Sequence, residues 1–189
     1  MKPKSVQHFR SQALLRKWFD KNHGKSTELW IRFYKKTSRK TGASYPEALD
    51  EALCFGWIDG IKQTVDEESY TIRFTPRRAK SVWSKVNTGH VERLVKADLM
   101  RPAGLKEVEL AKRDGRWKKA YSSSKNLTMP RYFLAALAKN KKAKTFYETL
   151  NKANRFAISY RLQNSKKPET RERWIQRIIQ MLAKGEKFY

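Results

Sequence analysis

The chain has 189 residues, of which 39% are hydrophobic and 12% aromatic, a composition that predicts a folded protein rather than a disordered chain. No stretch approaches the roughly 20 consecutive apolar residues that a membrane-spanning helix needs. Basic residues interrupt the N-terminal segment, so we expect no secretion signal and a cytoplasmic location. The single cysteine, Cys54, excludes an internal disulfide, and three scattered histidines predict no metal site and no cofactor.

The positive charge is the outstanding feature of the composition. Lys and Arg number 43 against 18 Asp and Glu, a formal charge of +25, whereas a magnitude of roughly 2–8 suffices for the solubility of a small domain. Residues 41–75 form an acidic island with two basic and seven acidic side chains. The remaining segments are all basic. Such a field attracts polyanions, so the charge predicts an anionic partner, with general solubility as the alternative explanation.

The first half of the chain alternates between the periodicities of helices and strands. Apolar positions over 5–21 follow the helical period, and the alternation over 29–34 is typical of a strand. Ser44 and Glu47 form the pattern of a capping box with Pro46 in the first turn, which predicts a helix over 45–55. Two further strands, 57–65 and 70–75, are predicted around an acidic turn.

The register of this hairpin follows from the assumption that residues 66–69 are the whole loop. Val65 then pairs with Tyr70 and Ile61 with Phe74, and the apolar faces of the two strands coincide. The same register places Asp59 on the apolar face, opposite the start of the segment 76–78. We therefore expect a buried carboxylate, which is costly unless it is paired.

The second half of the chain is predicted to be mostly helical, with helices starting near Pro102, Pro130 and Pro168. The fold class is therefore α+β, with a small antiparallel sheet packed by the helices at 5–21 and 45–55, followed by a mostly α-helical C-terminal region. We divide the chain into an α+β region with the β-hairpin, 1–100, and a helical C-terminal region, 101–189. One continuous domain is the alternative.

The hairpin carries the candidate ligand pocket. In the structural interpretation, Asp59 forms an ion pair with Arg77 or Arg78 that locks the strand ends. In the functional interpretation, the carboxylate is part of the wall of a small-ligand pocket. Ser81 and Ser84 precede a helix and are typical caps, and no base and third group complete a triad, so we predict no catalytic residue. The candidate pocket residues are Trp57, Asp59, Arg77, Arg78, Trp83 and Asn87.

Several separated stretches resemble a known bacterial family. They are 52–60 (ALCFGWIDG), 73–78 (RFTPRR) running on to Asn87, 100–104 (MRPAG), 114–117 (DGRW) and, near the C-terminus, Arg161 and 167–171. Together they are similar to the YdeI/OmpD-associated family, also called bacteriocin-protection proteins. The resemblance implies a role in tolerance of cationic antimicrobial peptides and carries no catalytic residue to this chain. A charge of +25 repels a cationic peptide, which favours an indirect, stress-related role.

Three functions remain open at this stage. The charge favours a non-enzymatic, anion-binding protein whose partner is nucleic acid or another polyanion, because a basic helix face binds phosphates. The alternative is a small-ligand binder or enzyme centred on Trp57, Asp59, Arg77 and Trp83. The resemblance adds a protein-interaction role in stress tolerance. The candidate polyanion-binding residues lie largely off the apolar stripe of the last helix and are Arg171, Arg173, Arg177 and Lys184.

Overall fold

The computed structural model describes residues 5–121 and 128–188 of the chain. The chain divides into two compact units, residues 1–120 and 121–189. The sequence predicts a boundary at residue 100, but helix Pro102–Arg113 belongs to the first unit, where its Gly104 lies directly against the backbone of Cys54. The described part of the chain contains no helix long and apolar enough to cross a membrane.

The first unit contains a small sheet and four helices among its described residues. The three strands predicted from the alternation pair antiparallel with one another, and a short additional strand joins the edge in parallel, so the sheet is mixed, in the order β1-β2-β4-β3. The α+β class is confirmed. The elements are β1 (Val6–Gln7), α1 (Gln12–Asn22), β2 (Leu29–Tyr34), α2 (Tyr45–Cys54), β3 (Trp57–Thr64), β4 (Ser69–Pro76), α3 (Lys85–Lys96) and α4 (Pro102–Arg113).

The helix starts follow from capping side chains. The predicted capping box is confirmed, since the Ser44 side chain and the Glu47 carboxylate satisfy each other's backbone N–H groups at the start of α2. The helix predicted over 5–21 begins only at Gln12, because Ser11 caps it and residues 6–7 pair with β2 instead. Ser84 likewise caps α3 by accepting the backbone N–H of Asn87, as expected for a hydroxyl before a helix.

The register of the β3–β4 hairpin differs from the prediction. Thr64, rather than Val65, lies opposite Tyr70, and Asp59 lies opposite Phe74. The earlier turn accounts for one residue of this difference, and a bulge between Asp59 and Lys62 adds a second. The loop still has four residues, but they are 65–68 rather than 66–69.

The earlier turn, which includes Val65, and the bulge, which includes Ile61, together change which side chains face the core. Ile61 is 49% exposed and Val65 is 44% exposed, whereas the predicted register buries both. The central strand β4 supplies the apolar face with Ile72 and Phe74, which are buried as expected. A period-two alternation cannot reveal an inserted residue, because the residues beyond the bulge keep alternating.

The core of the first unit lies between the sheet and helices α1 and α2. Phe19 stacks on Phe55 at a centroid distance of 5.4 Å and meets Trp57 edge-on at 5.5 Å. Cys54 belongs to this core at 1% exposure, which confirms the interpretation of the cysteine as a small buried hydrophobe. Burial, together with the nearby Glu51 carboxylate, raises the pKa of the Cys54 thiol to about 11.

The thiol of Cys54 should therefore be inert in the folded protein. We expect no carbamidomethylation by iodoacetamide at pH 8, because the reactive thiolate is scarce and the sulfur is covered. In concentrated urea the same reagent should label the cysteine fully, as intact-mass spectrometry would record. Rapid labelling of the native protein would contradict the buried placement.

The secondary-structure elements longer than one residue that are described in the second unit are all helices. Its helices are α5 (Arg131–Ala138), α6 (Lys141–Thr149), α7 (Lys152–Gln163) and α8 (Pro168–Ala183). Helix α8 contributes its apolar stripe to a separate core, as the 3.6-residue period predicts. That core contains Phe133, Leu137, Ala143, Leu150, Ile158, Leu162, Ile175, Ile178 and Leu182.

Candidate functional site

Arg77 and Trp83 form the tightest contact within the predicted pocket set. The guanidinium carbon of Arg77 lies 3.7 Å from the centroid of the Trp83 ring, and its Nη2 donates to the carbonyl oxygen of Val82 at 2.8 Å. Arg77 is 7% exposed, so this cation–π contact is largely desolvated and correspondingly strong. Trp83 also contacts Trp117, and the two ring centroids are 5.0 Å apart.

Trp57 and Asp59 have different partners. Trp57 is buried against Trp18 and Phe19, and its indole N–H donates to the carbonyl oxygen of His23 at 3.2 Å. The Asp59 carboxylate accepts a hydrogen bond of 2.9 Å from the hydroxyl of Tyr45 and is half-buried. The observed partner of Asp59 is thus Tyr45, and the ion pairs found between described residues do not include the predicted pair of Asp59 with Arg77 or Arg78.

The remaining two members of the predicted pocket make local contacts. Arg78 is exposed at the end of the hairpin, and Asn87 is half-buried in the first turn of α3.

Burial raises the pKa of the Tyr45 hydroxyl well above its usual range, and the Asp59 carboxylate adds to the shift. The hydroxyl therefore stays protonated at neutral pH and serves Asp59 as a donor.

A second cluster beside Trp83 was not predicted from the sequence. Arg116 donates from Nε to the Asp114 carboxylate at 2.7 Å and from Nη1 to the carbonyl oxygen of Ser81 at 2.8 Å. Lys112 lies 5.6 Å from the Trp117 centroid. These contacts tie the segment after α4 to the loop before α3. The DGRW motif thus has a structural explanation, because its Asp and Arg fold the turn onto that loop.

The C-terminal unit presents a different arrangement of cations and rings. The guanidinium carbons of Arg161 and Arg177 lie 4.6 Å and 5.4 Å from the centroid of the half-buried Trp174. Both arginines are exposed. Thr170, Arg173, Trp174 and Arg177 line a shallow cavity of about 340 Å³ on the same helix face. We call Arg161, Thr170, Arg173, Trp174 and Arg177 the α8 surface.

The neighbouring face of α8 has mixed charge. Arg171 lies 5.2 Å from the ring centroid of Tyr132, and a cavity of about 690 Å³ at this face is also lined by Glu169 and Glu172. Those carboxylates offset part of the charge of Arg171. The described residues that line the α8 surface cavity include no Asp or Glu. Of the predicted polyanion-binding residues on α8, Arg177 therefore lies on the more cationic face and Arg171 on the mixed one, while Arg173 lines both cavities.

Lys184 has a position of its own at the C-cap of α8, where it is exposed. A positive side chain there complements the negative end of the helix dipole, so helix stability explains its place.

The sequence did not indicate Arg161 and Trp174 as candidate site residues. Trp174 was assigned to the apolar stripe, and Arg161 lies on another helix, so only a signal from tertiary structure could have joined them.

The charge of the two units can be compared directly. Residues 121–189 contain 16 Lys and Arg against four Asp and Glu, whereas residues 1–120 contain 27 against 14. The second unit is therefore the more uniformly cationic of the two.

Among the residues that the structure describes, no group of three or more His, Cys, Asp or Glu is placed to hold a metal ion.

Two family models match the chain. Residues 7–107 match a domain of unknown function (DUF8412), and residues 126–185 match the family described as bacteriocin-protection, YdeI or OmpD-associated. No curated protein and no solved structure matches. The motifs at 52–60, 73–87 and 100–104 fall within the first match, while Arg161 and 167–171 fall within the second, so the YdeI/OmpD-associated resemblance is confirmed for the C-terminal unit. The chain belongs to the DUF8412 family, whose model matches residues 7–107, and its residues 126–185 are similar to the YdeI/OmpD-associated family.

Proposed function

We propose that the chain is a non-enzymatic, cytoplasmic nucleic-acid-binding protein that contacts the phosphate backbone through the α8 surface. The observation that carries the proposal is the placement of Arg161 and Arg177 over the ring of Trp174, beside Arg173, at a cavity whose described lining residues include no Asp or Glu. Guanidinium groups recognise phosphate, and the cation–π contacts with Trp174 hold Arg161 and Arg177 side by side for that purpose.

The proposal agrees with the distribution of charge. The α8 surface lies in the unit with 16 basic and four acidic side chains, so a polyanion meets an attractive field before contact. The same field opposes direct capture of a cationic peptide. A role in bacteriocin protection, which the matched family description names, would then be indirect and would act through the nucleic acid that the chain binds.

The test is fluorescence anisotropy with labelled duplex and single-stranded oligonucleotides between 50 and 200 mM salt. We expect log affinity to fall linearly with log salt, with a slope of about −0.9 per phosphate contact on duplex DNA. Replacing Arg161, Arg173 and Arg177 together with glutamine should weaken binding to all sequences alike. The slope should become shallower by about 0.9 for each phosphate that the variant no longer neutralises.

A matched variant separates the α8 surface from net charge. Helix α6 of the same unit has three exposed lysines, Lys141, Lys142 and Lys144. Their replacement by glutamine lowers the net charge by three, as the arginine variant does. We expect this variant to bind nearly as tightly as the natural sequence. Equal weakening in the two variants would mean that the α8 surface has no special role. Absence of binding at 50 mM salt would refute the proposed function.

A further inference from the structure

The first unit contains a cavity of about 360 Å³ that the proposed function does not use. It lies where β2 ends, between the loop that follows this strand and the start of α2. Its volume falls within the range of roughly 300–1,000 Å³ that is usual for small-molecule sites. Part of its wall comes from the acidic island, residues 41–75, but the island contributes only uncharged side chains to the lining.

Four basic side chains line this cavity: His8, Arg32, Lys36 and Lys40. The described lining residues include no Asp or Glu. Two carboxylates are bound to lining residues from outside the lining: Glu47 accepts from the backbone N–H and the hydroxyl of Ser44, and Asp59 accepts from the hydroxyl of Tyr45 at 2.9 Å. The pair between Lys40 and Glu68 has an N–O distance of 3.9 Å, and both side chains are more than half exposed, so it holds Lys40 weakly.

Aromatic rings supply the rest of the wall. Phe33 lies 6.1 Å from the centroid of Tyr45 and 5.6 Å from that of Tyr70, and the Tyr70 ring is stacked with it. Tyr34 meets the His8 ring edge-on at 5.1 Å. The Tyr70 ring is already covered by Phe33 and by the Lys62 ammonium group, 4.0 Å from its centroid, so Tyr34 and Tyr45 are the rings left to contact a flat aromatic guest.

The cavity is held open by backbone contacts. The backbone N–H of Ala43 donates to the carbonyl oxygen of Phe9 at 2.9 Å, which fastens the loop to the segment before α1. A Cβ atom at Gly42 would overlap the His8 imidazole and lie 2.7 Å from the Phe9 oxygen, so only glycine permits this approach. A preformed wall of this kind lowers the cost of ordering on binding.

We propose that this cavity binds a small anion that carries an aromatic ring, with the acid group held by Arg32, Lys36 and Lys40 and the ring placed against Tyr34 and Tyr45. The chemistry fits a phosphate or a carboxylate on a planar ring of about mononucleotide size. The helix N-terminus adds little, because the Glu47 carboxylate already occupies it. The side chains therefore decide affinity and selectivity.

The experiment is an NMR titration of the ¹⁵N-labelled full chain with AMP, 4-hydroxybenzoate, adenosine and inorganic phosphate. AMP tests a phosphate on a ring, and 4-hydroxybenzoate tests a carboxylate. We expect at least one of these two probes to shift the backbone amides of Gly42, Ser44 and Tyr70 saturably. Adenosine has the ring without the acid group, and inorganic phosphate has the acid group without the ring. Each should bind at least about tenfold more weakly than the ring-bearing anion.

Two double variants control for general charge. Lys36→Gln with Lys40→Gln removes two lining cations, and Lys35→Gln with Arg39→Gln removes two exposed cations of the same loop that do not line the cavity. The first pair should weaken binding of the ring-bearing anion about tenfold, and the second by less than about twofold. Equal effects, shifts confined to other residues, or no binding by either ring-bearing anion would overturn the proposal. None of these results depends on oligonucleotide binding at the α8 surface.

Discussion

Replacing Gly104 with alanine is expected to destabilise the first unit by about 3 kcal/mol or more, beyond the usual cost of overpacking. Gly104 is buried in α4, and an added Cβ would overlap the carbonyl oxygen of Cys54 and lie 2.7 Å from that of Leu53. These atoms are backbone at the end of α2, and the Cys54 oxygen also accepts the N–H of Arg101. A backbone wall cannot rotate away, so the two helices must separate.

Gly89→Ala is the matched control for this substitution. Gly89 lies within α3, and a Cβ there meets no atom within 4 Å. Alanine at an open helix position should stabilise the protein by about 0.5–1 kcal/mol. Urea unfolding followed by tryptophan fluorescence suits both variants, because five of the six tryptophans lie in the first unit. A Gly104→Ala midpoint equal to that of the natural chain would show that α4 does not pack so closely.

Trp83→Ala should be nearly as damaging, with an expected loss of about 3–5 kcal/mol for a buried tryptophan. The ring is 2% exposed and fills the space between the Arg77 guanidinium and Trp117. Trp83→Phe keeps a ring for the guanidinium to stack on and should cost clearly less. Thermal unfolding followed by circular dichroism would measure both losses of stability.

The Trp83 variants also distinguish structure from ligand binding. If Trp83 serves the fold, Trp83→Phe should retain the oligonucleotide affinity proposed for the α8 surface in the anisotropy assay. A Trp83→Ala variant as stable as the natural protein would contradict the packing described for this ring. It would also reopen the small-ligand interpretation of the hairpin cluster.

Local patterns predicted the elements that depend on local forces. The capping box of Ser44 and Glu47 places the start of α2 correctly because its hydrogen bonds join residues three positions apart. The strands β2, β3 and β4 follow from their alternation, and the last helix from its apolar stripe. The short strand β1 escaped prediction, since two residues are too few for any periodicity to register.

Partners that are distant in sequence could not be predicted in this way. Asp59 was assigned to the arginines of the next strand end, yet its partner is the hydroxyl of Tyr45, from the first turn of α2. The α8 surface posed the same difficulty, because Arg161 and Trp174 come from different helices. Composition predicted a cationic protein, but only the tertiary fold shows which cations lie over aromatic rings.

The bulge in β3 also bears on how the protein behaves when it is concentrated. Strand β3 is one of the two edge strands of the described sheet, and backbone groups left unpaired at such an edge can pair with another chain and start aggregation. The irregular pairing after Asp59 interrupts that row of groups, and Gly60 weakens the strand's tendency to extend a neighbour. Lys62, whose ammonium group lies 4.0 Å from the centroid of Tyr70, leaves a positive charge at the rim. The feature that upset the predicted register thus discourages edge-to-edge polymerisation of the sheet.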